Sequence, residues 1–527
     1  MHGDTMDFQS NYKAKLISKA AYLDFLDCPQ DSWLKFNKPA LYAKIEEDSS
    51  EKRYAQKYDP IDTYVQNLTV FGGGIDVNTV TGDKVALTKQ HIDQTYPVIF
   101  NPVFVYEGFL VRPSVLKYDE QLGEWNIYDI KRKSKPKEKD KKEFESDIGD
   151  AAFDIVVLQK QGVKIGRISI MYLNRGYIRG SELEIEQLFE YVDITEEVRS
   201  KISATFVTMA NAKDLLLRID ESIALDTCDC RYKGRNSQCL SFKTRHPHVP
   251  WYSVYDIARI RGEKLKSLVD TNIFDINDIS RNVKLSEIQR NQVDTYQQKK
   301  TIINVEKIAG VLKGLEYPMY FLDYETYASA IPLYQGVHPY QQVPVQFSLH
   351  VIDVAHSTPV HFEYLHMQSN DSSLNIIEKL KQYIGPKGRV VVWNESFEKM
   401  INRELSERHP EHKAFLDDLN NRMYDLAEIF EDQLYVDAQF KGSTSIKNIL
   451  PVLAPELRYG ELNIQNGSDA SQKWFEMVFG GLTVEAQQKI AYDLRKYCCL
   501  DTYAMYAIWK RLANICDTHM VAKSPAE

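Results

Sequence analysis

The stretch that most constrains this chain is Tyr320-Phe321-Leu322-Asp323-Tyr324-Glu325-Thr326. Its apolar and β-forming residues predict a strand, and side chains alternate along a strand, so Asp323 and Glu325 share one face. Taken singly, such a pair is ordinary on any solvated strand. At the end of an apolar run, however, two carboxylates suit hard divalent ions. Two such ions can grip both the attacking and the leaving oxygen of a phosphodiester. Far downstream, Tyr497-Cys498-Cys499-Leu500-Asp501 puts Tyr497 and Asp501 four residues apart, on one face of a predicted helix. There Asp501 would complete a metal site and the Tyr497 hydroxyl would orient a water.

Order strengthens the pattern. Between these stretches, Val390-Val391-Val392-Trp393 reads as a buried strand opening into a helix that carries Glu398. Tyr424-Asp425 then ends a strand, and Ser443 to Leu450 starts a helix. Strand acids, a helix acid and Tyr-x-x-x-Asp, in that order, resemble the 3′–5′ exonucleases of the DEDD group. The subclass is the one with a tyrosine in its last motif, on a ribonuclease-H-like fold. The resemblance implies Asp323, Glu325 and Asp501 as ligands of Mg²⁺ or Mn²⁺, Glu398 as the middle acid, and Tyr497 as the water-orienting group. That group's middle motif reads Asn-x-x-Phe-Asp, whereas this chain has Asn394-Glu395-Ser396-Phe397-Glu398, one methylene longer. Ser445 and Lys447 also resemble the helix that follows this motif.

The N-terminal half carries a different signal. With 527 residues and 43% apolar content, the chain is too long for one core. Ser18 is placed to cap an amphipathic helix that ends at Cys28-Pro29. Cys28 has possible partners in Cys228, Cys230 and Cys239, and four converging thiolates could hold either a [4Fe–4S] cluster or a zinc ion. Gly108 to Leu116 reads as a strand and Trp125 to Lys131 as its hairpin partner, followed by a helix over Asp150 to Leu158 and a strand over Ile168 to Asn174. Asp129-x-Lys131 at a strand end either belongs to an ordinary amphipathic strand or resembles the tail of a restriction-endonuclease-like core. Framed by the cysteines, it resembles the RecB-like nucleases with a cysteine-bound iron–sulfur cluster. That pattern has an aspartate where this chain has Ser114, and a helix glutamine absent near Asp154. Its late cysteines are also spaced more evenly than Cys228 and Cys230. The resemblance therefore implies Asp129 and Lys131 as remnants of a site that has lost cleavage. Nearly the whole chain is similar to the bacterial family catalogued as domain of unknown function 2779.

The expected architecture is α/β: a restriction-endonuclease-like core over 1–245, a helical connector over 246–312, and a ribonuclease-H-like domain over 313–517. Candidate nucleic-acid contacts are Lys131, Arg132, Lys133 and Lys135 in the most basic run, which either neutralises phosphates or forms a solvated loop. Tyr340, Gln342 and Gln346 either meet unpaired bases and their edges or pack a turn against the sheet. His338 and His350 show no ligand spacing and read as structural. A net charge of −9 excludes a globally basic nucleic-acid binder but leaves room for local grooves. No apolar run reaches membrane-spanning length and the N-terminus lacks a secretory signal, so a cytoplasmic protein is expected. Two function classes stand. One is a metal-dependent nuclease acting at a single-stranded 3′ end of DNA or RNA. The other is a nucleic-acid-binding scaffold in which both nuclease domains have decayed, as Glu398 and Ser114 would favour.

Overall fold

A computed structural model describes residues 15–48, 61–218 and 228–523. Contacts between Cα atoms divide it into two units. In the first, Ser18 accepts a hydrogen bond from Ala21 N (3.2 Å) and starts helix α1 (Lys19–Asp27). Six strands follow, and they neighbour one another in chain order: β1 (Ile75–Asp76), β2 (Val98–Phe100), β3 (Val115–Asp119), β4 (Glu124–Ser134), β5 (Ile165–Leu173) and β6 (Phe189–Asp193). The predicted hairpin is present: β3 and β4 are antiparallel, with Tyr118 opposite Trp125. β4 and β5 run parallel, as a connection through a helix allows. That helix, α2 (Lys141–Lys160), buries the run from Ala151 to Leu158. It packs, with α3 (Thr195–Leu216), into the core formed by Phe153, Ile127, Ile170 and Tyr172.

The expected single strand from Gly108 to Leu116 is instead two. Phe109–Val111 pairs with Ile17–Ser18 and with Phe104–Tyr106 in a separate three-stranded sheet. The chain leaves it at Arg112-Pro113 before β3 begins. Proline has no N–H to give to a ladder and restricts the residue before it, so the break falls where the sequence forbids continuation.

The second unit is built on a five-stranded mixed sheet. Its strands are β7 (Met319–Tyr327), β8 (Val343–Ile352), β9 (Val360–Leu365), β10 (Arg389–Val392) and β11 (Met423–Asp425), in the order β9-β8-β7-β10-β11. β7 is antiparallel to β8 and parallel to β10. Alternation along β7 divides the unit into two cores. Tyr320, Leu322 and Tyr324 face one layer with helices α4 (Ser373–Tyr383), α5 (Glu395–Arg408) and α6 (Lys413–Arg422). Met319 and Phe321 face the other, with α7 (Ile446–Leu453), α8 (Gly467–Phe479) and the 40-residue α9 (Val484–Lys523). Ahead of this sheet, helices span Glu263–Asp270, Glu287–Gln298 and Val305–Lys313, the second opened by a reciprocal Ser286–Gln289 capping box. No helix among the described residues is long and apolar enough to cross a membrane.

Candidate active site

Period two carries the face of Met319 and Phe321 on to Asp323 and Glu325, where β7 turns from apolar to acidic beneath α9. In register, Asp323 lies opposite Ser348, and Glu325 opposite Gln346. From α9, Cys498 brings its Sγ to 3.9 Å from Asp323 Oδ2. One carboxylate oxygen each of Asp323 and Glu325 and the Cys498 sulfur all lie within 4.8 Å of one another. One turn on, Asp501 Oδ1 accepts a hydrogen bond from the Tyr459 hydroxyl at 2.6 Å. The rings of Tyr459 and Tyr497 are 6.2 Å apart. Lys447 Nζ stands 5.5 and 5.7 Å from their centroids, anchored on Gln465 O at 2.6 Å.

Glu398 enters from the first turn of α5, 2% exposed. Its helix is fixed from a neighbouring strand: Asp425 at the end of β11 accepts from Asn394 N (3.1 Å) and Glu395 N (2.9 Å). Asn394 itself takes the left-handed conformation (φ 76°), which asparagine tolerates better than most residues. This turn aims Glu398 inward, where Oε2 has no hydrogen-bond partner among the described residues.

Burial dominates the electrostatics. It pushes Asp323 well above the usual carboxylate range, and the charge of Asp501 adds to it. Burial, then the charges of Asp323 and Asp501, do the same to Glu325. Glu398 is raised by burial and by Asp323 and Glu325. Asp501 rises only to about 6, because the Tyr459 hydrogen bond, Lys447 and Tyr497 oppose its burial. Burial and the surrounding acids also keep the Cys498 thiol protonated.

These shifts set a pH dependence. A carboxyl whose folded pKa exceeds its unfolded value stabilises the fold below the unfolded value, and the contribution is lost as pH rises through the folded one. For Asp501 the window runs from 3.8 to about 6, worth roughly 3 kcal/mol. The metal-free second unit should therefore melt progressively lower from pH 4 to pH 8, and millimolar Mn²⁺ should restore the loss at pH 8. Calorimetry checks this; a transition indifferent to both pH and Mn²⁺ would refute it.

The first unit treats its acids differently. Asp129 on β4 lies 3.0 Å from Lys131 Nζ, which also reaches Asp150 at 2.6 Å. Lys19, in the first turn of α1, sits 2.9 Å from Asp154 and 3.8 Å from Asp129. Burial alone would raise Asp129, but Lys19 and Lys131 hold it below the usual range. Asp154 is pushed up to about 6 by burial, with Lys19 opposing and Asp129 adding. Ser114, where the resemblance wanted a carboxylate, uses its Oγ to accept from Ile130 N at 3.1 Å.

The basic run is not a loop at its start. Lys131 to Ser134 belong to β4, with Arg132 on Asp62 (2.9 Å) and Lys133 on Glu143 (2.7 Å) and Asp147 (3.0 Å). Lys135 follows the strand. Gln346 is 1% exposed and donates to Leu494 O at 3.2 Å, which ties β8 to α9. Gln342 accepts from Thr326 Oγ1 at 2.7 Å, and Tyr340 occupies a left-handed turn position.

Four thiols also converge. Cys28, Cys228 and Cys239, with Cys230 two residues beyond Cys228, have all Sγ atoms within 4.8 Å of one another, Cys28 and Cys228 at 3.5 Å. Such a group could hold a metal ion. Tyr459, Asp425, Cys498 and Lys19 carry no sequence signal for their roles: each acts across the fold and shares no period or short spacing with its partner.

Residues 320–445 match the model of a domain of unknown function, DUF2779. The DUF2779 match holds Asp323, Glu325 and Glu398 and ends before Tyr497 and Asp501. The chain is similar to the uncharacterized protein UU173 of Ureaplasma parvum, 26% identical over 50% of this chain and 41% of that one. It is also similar to the uncharacterized protein MG366 of Mycoplasma genitalium, 29% identical over 36% of this chain and 31% of that one. A homologue of MG366 in Mycoplasma pneumoniae is 26% identical over 40% and 35%. The chain thus spans less than half the length of these curated relatives. No solved structure matches it.

Proposed function

We propose that the second unit hydrolyses phosphodiester bonds of DNA or RNA from a 3′ end, at a site made by Asp323, Glu325, Glu398 and Asp501. One observation carries this reading: four carboxylates from β7, α5 and α9, with Glu325, Glu398 and Asp501 buried and Asp323 partly exposed, stand where each raises or is raised by another's charge. Buried like charges are costly unless a cation joins them. The four carboxylates offer oxygen donors, with Glu398 Oε2 unengaged among the described residues, and these suit Mg²⁺ or Mn²⁺; the Cys498 thiol beside Asp323, held protonated, is not counted as a donor. When bound, such ions would supply Lewis acidity and an activated water. The chain's own residues prepare for this. Tyr459 and Lys447 favour the ionised form of Asp501, Tyr497 keeps its phenolic proton and can orient a water, and Asp425 sets the helix that carries Glu398.

The sheet order, with its first strand central and two parallel strands beyond it, supports a ribonuclease-H-like domain. The β4–α2–β5 crossover supports a restriction-endonuclease-like core in the first unit. For that unit a specific observation favours binding without cleavage: lysine ammonium groups stand against the acids that would otherwise take a metal. The thiols would hold zinc or an iron–sulfur cluster in a structural role.

The test is degradation of 3′- and 5′-labelled single-stranded DNA and RNA by the purified chain with Mg²⁺ or Mn²⁺. Stepwise shortening from the 3′ end is expected. Retained binding with no metal-dependent cleavage of any substrate would favour the scaffold reading instead.

A further inference from the structure

Behind the carboxylates, two histidines and a cysteine meet from three elements. His350 on β8 and His361 on β9 are direct cross-strand partners, with rings 4.5 Å apart. Cys499 of α9 faces them. One nitrogen of each ring and the Cys499 sulfur all lie within 4.8 Å of one another, Cys499 Sγ at 3.9 Å from His361 Nδ1.

The surrounding hydroxyls fix where the protons are. Thr502 Oγ1 donates to Cys499 O at 3.2 Å, since a carbonyl can only accept. If that bond takes its one proton, the remaining contacts have one consistent assignment. The 2.7 Å contact between Ser348 Oγ and Thr502 Oγ1 must be donated by Ser348. Ser348, its own proton used, must accept at 2.9 Å from His361 Nε2. Thr502 must likewise accept at 2.8 Å from His350 Nδ1. Each imidazole then directs an N–H toward a hydroxyl. That leaves His350 Nε2 and His361 Nδ1 as the nitrogens these hydroxyls do not engage, the latter 3.9 Å from Cys499 Sγ. A hydrogen-bond acceptor on one ring nitrogen, leaving the other free for the ion, is the arrangement in which histidine binds metals.

We propose that His350, His361 and Cys499 form a metal site for a borderline-soft divalent ion, zinc above all, distinct from the carboxylate site. Two imidazoles and a thiolate are zinc donors rather than magnesium donors, and three protein ligands leave the fourth position open. The ion would join β8 and β9 to α9 at a point two residues from Asp501. The site does not depend on the nuclease reading.

The test uses the full chain, stripped of metal and titrated with zinc alone. Alkylation of Cys499 by iodoacetamide, followed by peptide mass spectrometry, should slow by at least about tenfold with zinc and recover with chelator, because a coordinated thiolate is withdrawn from reaction. A His361→Gln chain, shown by circular dichroism to be folded, should bind one zinc equivalent fewer than the natural chain. The same difference should persist in a Cys228→Ser background, which separates this site from the four-thiol group. Cys499 alkylation unaffected by zinc would overturn the site. So would a folded His361→Gln chain with the natural zinc count, and the alkylation result decides if that variant does not fold.

Discussion

Replacing Asp323 by asparagine should lower metal-dependent shortening from the 3′ end by about 10³-fold, the scale on which loss of one preorganised electrostatic partner acts. Asparagine keeps the side chain's size but removes a charge that bears on Glu325 and Glu398 together. The same substitution should raise the melting temperature of the metal-free chain at pH 8, since it relieves repulsion among buried carboxylates. It should also abolish the stabilisation given by Mn²⁺. A merely damaged fold would lower activity and stability together, so the opposite signs identify a metal-binding charge. Asp129→Asn, in the other unit, should leave the shortening unchanged. An Asp323→Asn chain with full activity would remove the proposed site.

Lys19→Met should destabilise the first unit by about 3–5 kcal/mol, the usual cost of breaking a buried ion pair from one side. Lys19 faces both Asp154 and Asp129, and methionine would leave two buried carboxylates opposed. The loss should be largest above pH 7 and shrink as pH falls. Without the lysine, Asp154, already at about 6, would bind a proton more readily still, and protonation removes the repulsion. Urea titration at pH 5.5 and pH 8 measures both effects, and equal stability of variant and parent at pH 8 would contradict them. Exonucleolytic shortening should survive, because Lys19 stands among the first unit's acids.

Local periodicity made part of this legible from sequence. Alternation gave β7 and the shared face of Asp323 and Glu325, a four-residue spacing gave Tyr497 and Asp501, and Ser18 before an amphipathic run gave the start of α1. Continuous strand over Gly108 to Leu116 was over-read, because its β-forming side chains outweighed the missing N–H of Pro113. Composition showed the lysines of the basic run but not that a strand carries its start, where acids on β4 and α2 pair with Lys131 and Lys133. Roles set by register across strands left no trace in spacing. His350 and His361 are eleven residues apart in sequence yet directly opposed in the sheet, and Asp425 caps a helix thirty residues before it.

Successive residues of an α-helix point about 100° apart, and this gives the doublet Cys498-Cys499 a mechanical meaning. Cys498 faces the strand of Asp323 while Cys499 faces the paired histidines on β8 and the edge strand β9. The two thiols therefore gauge the rotational phase of α9, a rod that also carries Tyr497, Asp501 and Thr502. A turn of the rod by one residue would unseat every one of these contacts at once. The helix is thus keyed to the sheet like a camshaft to its followers, with one angular setting that satisfies both rows.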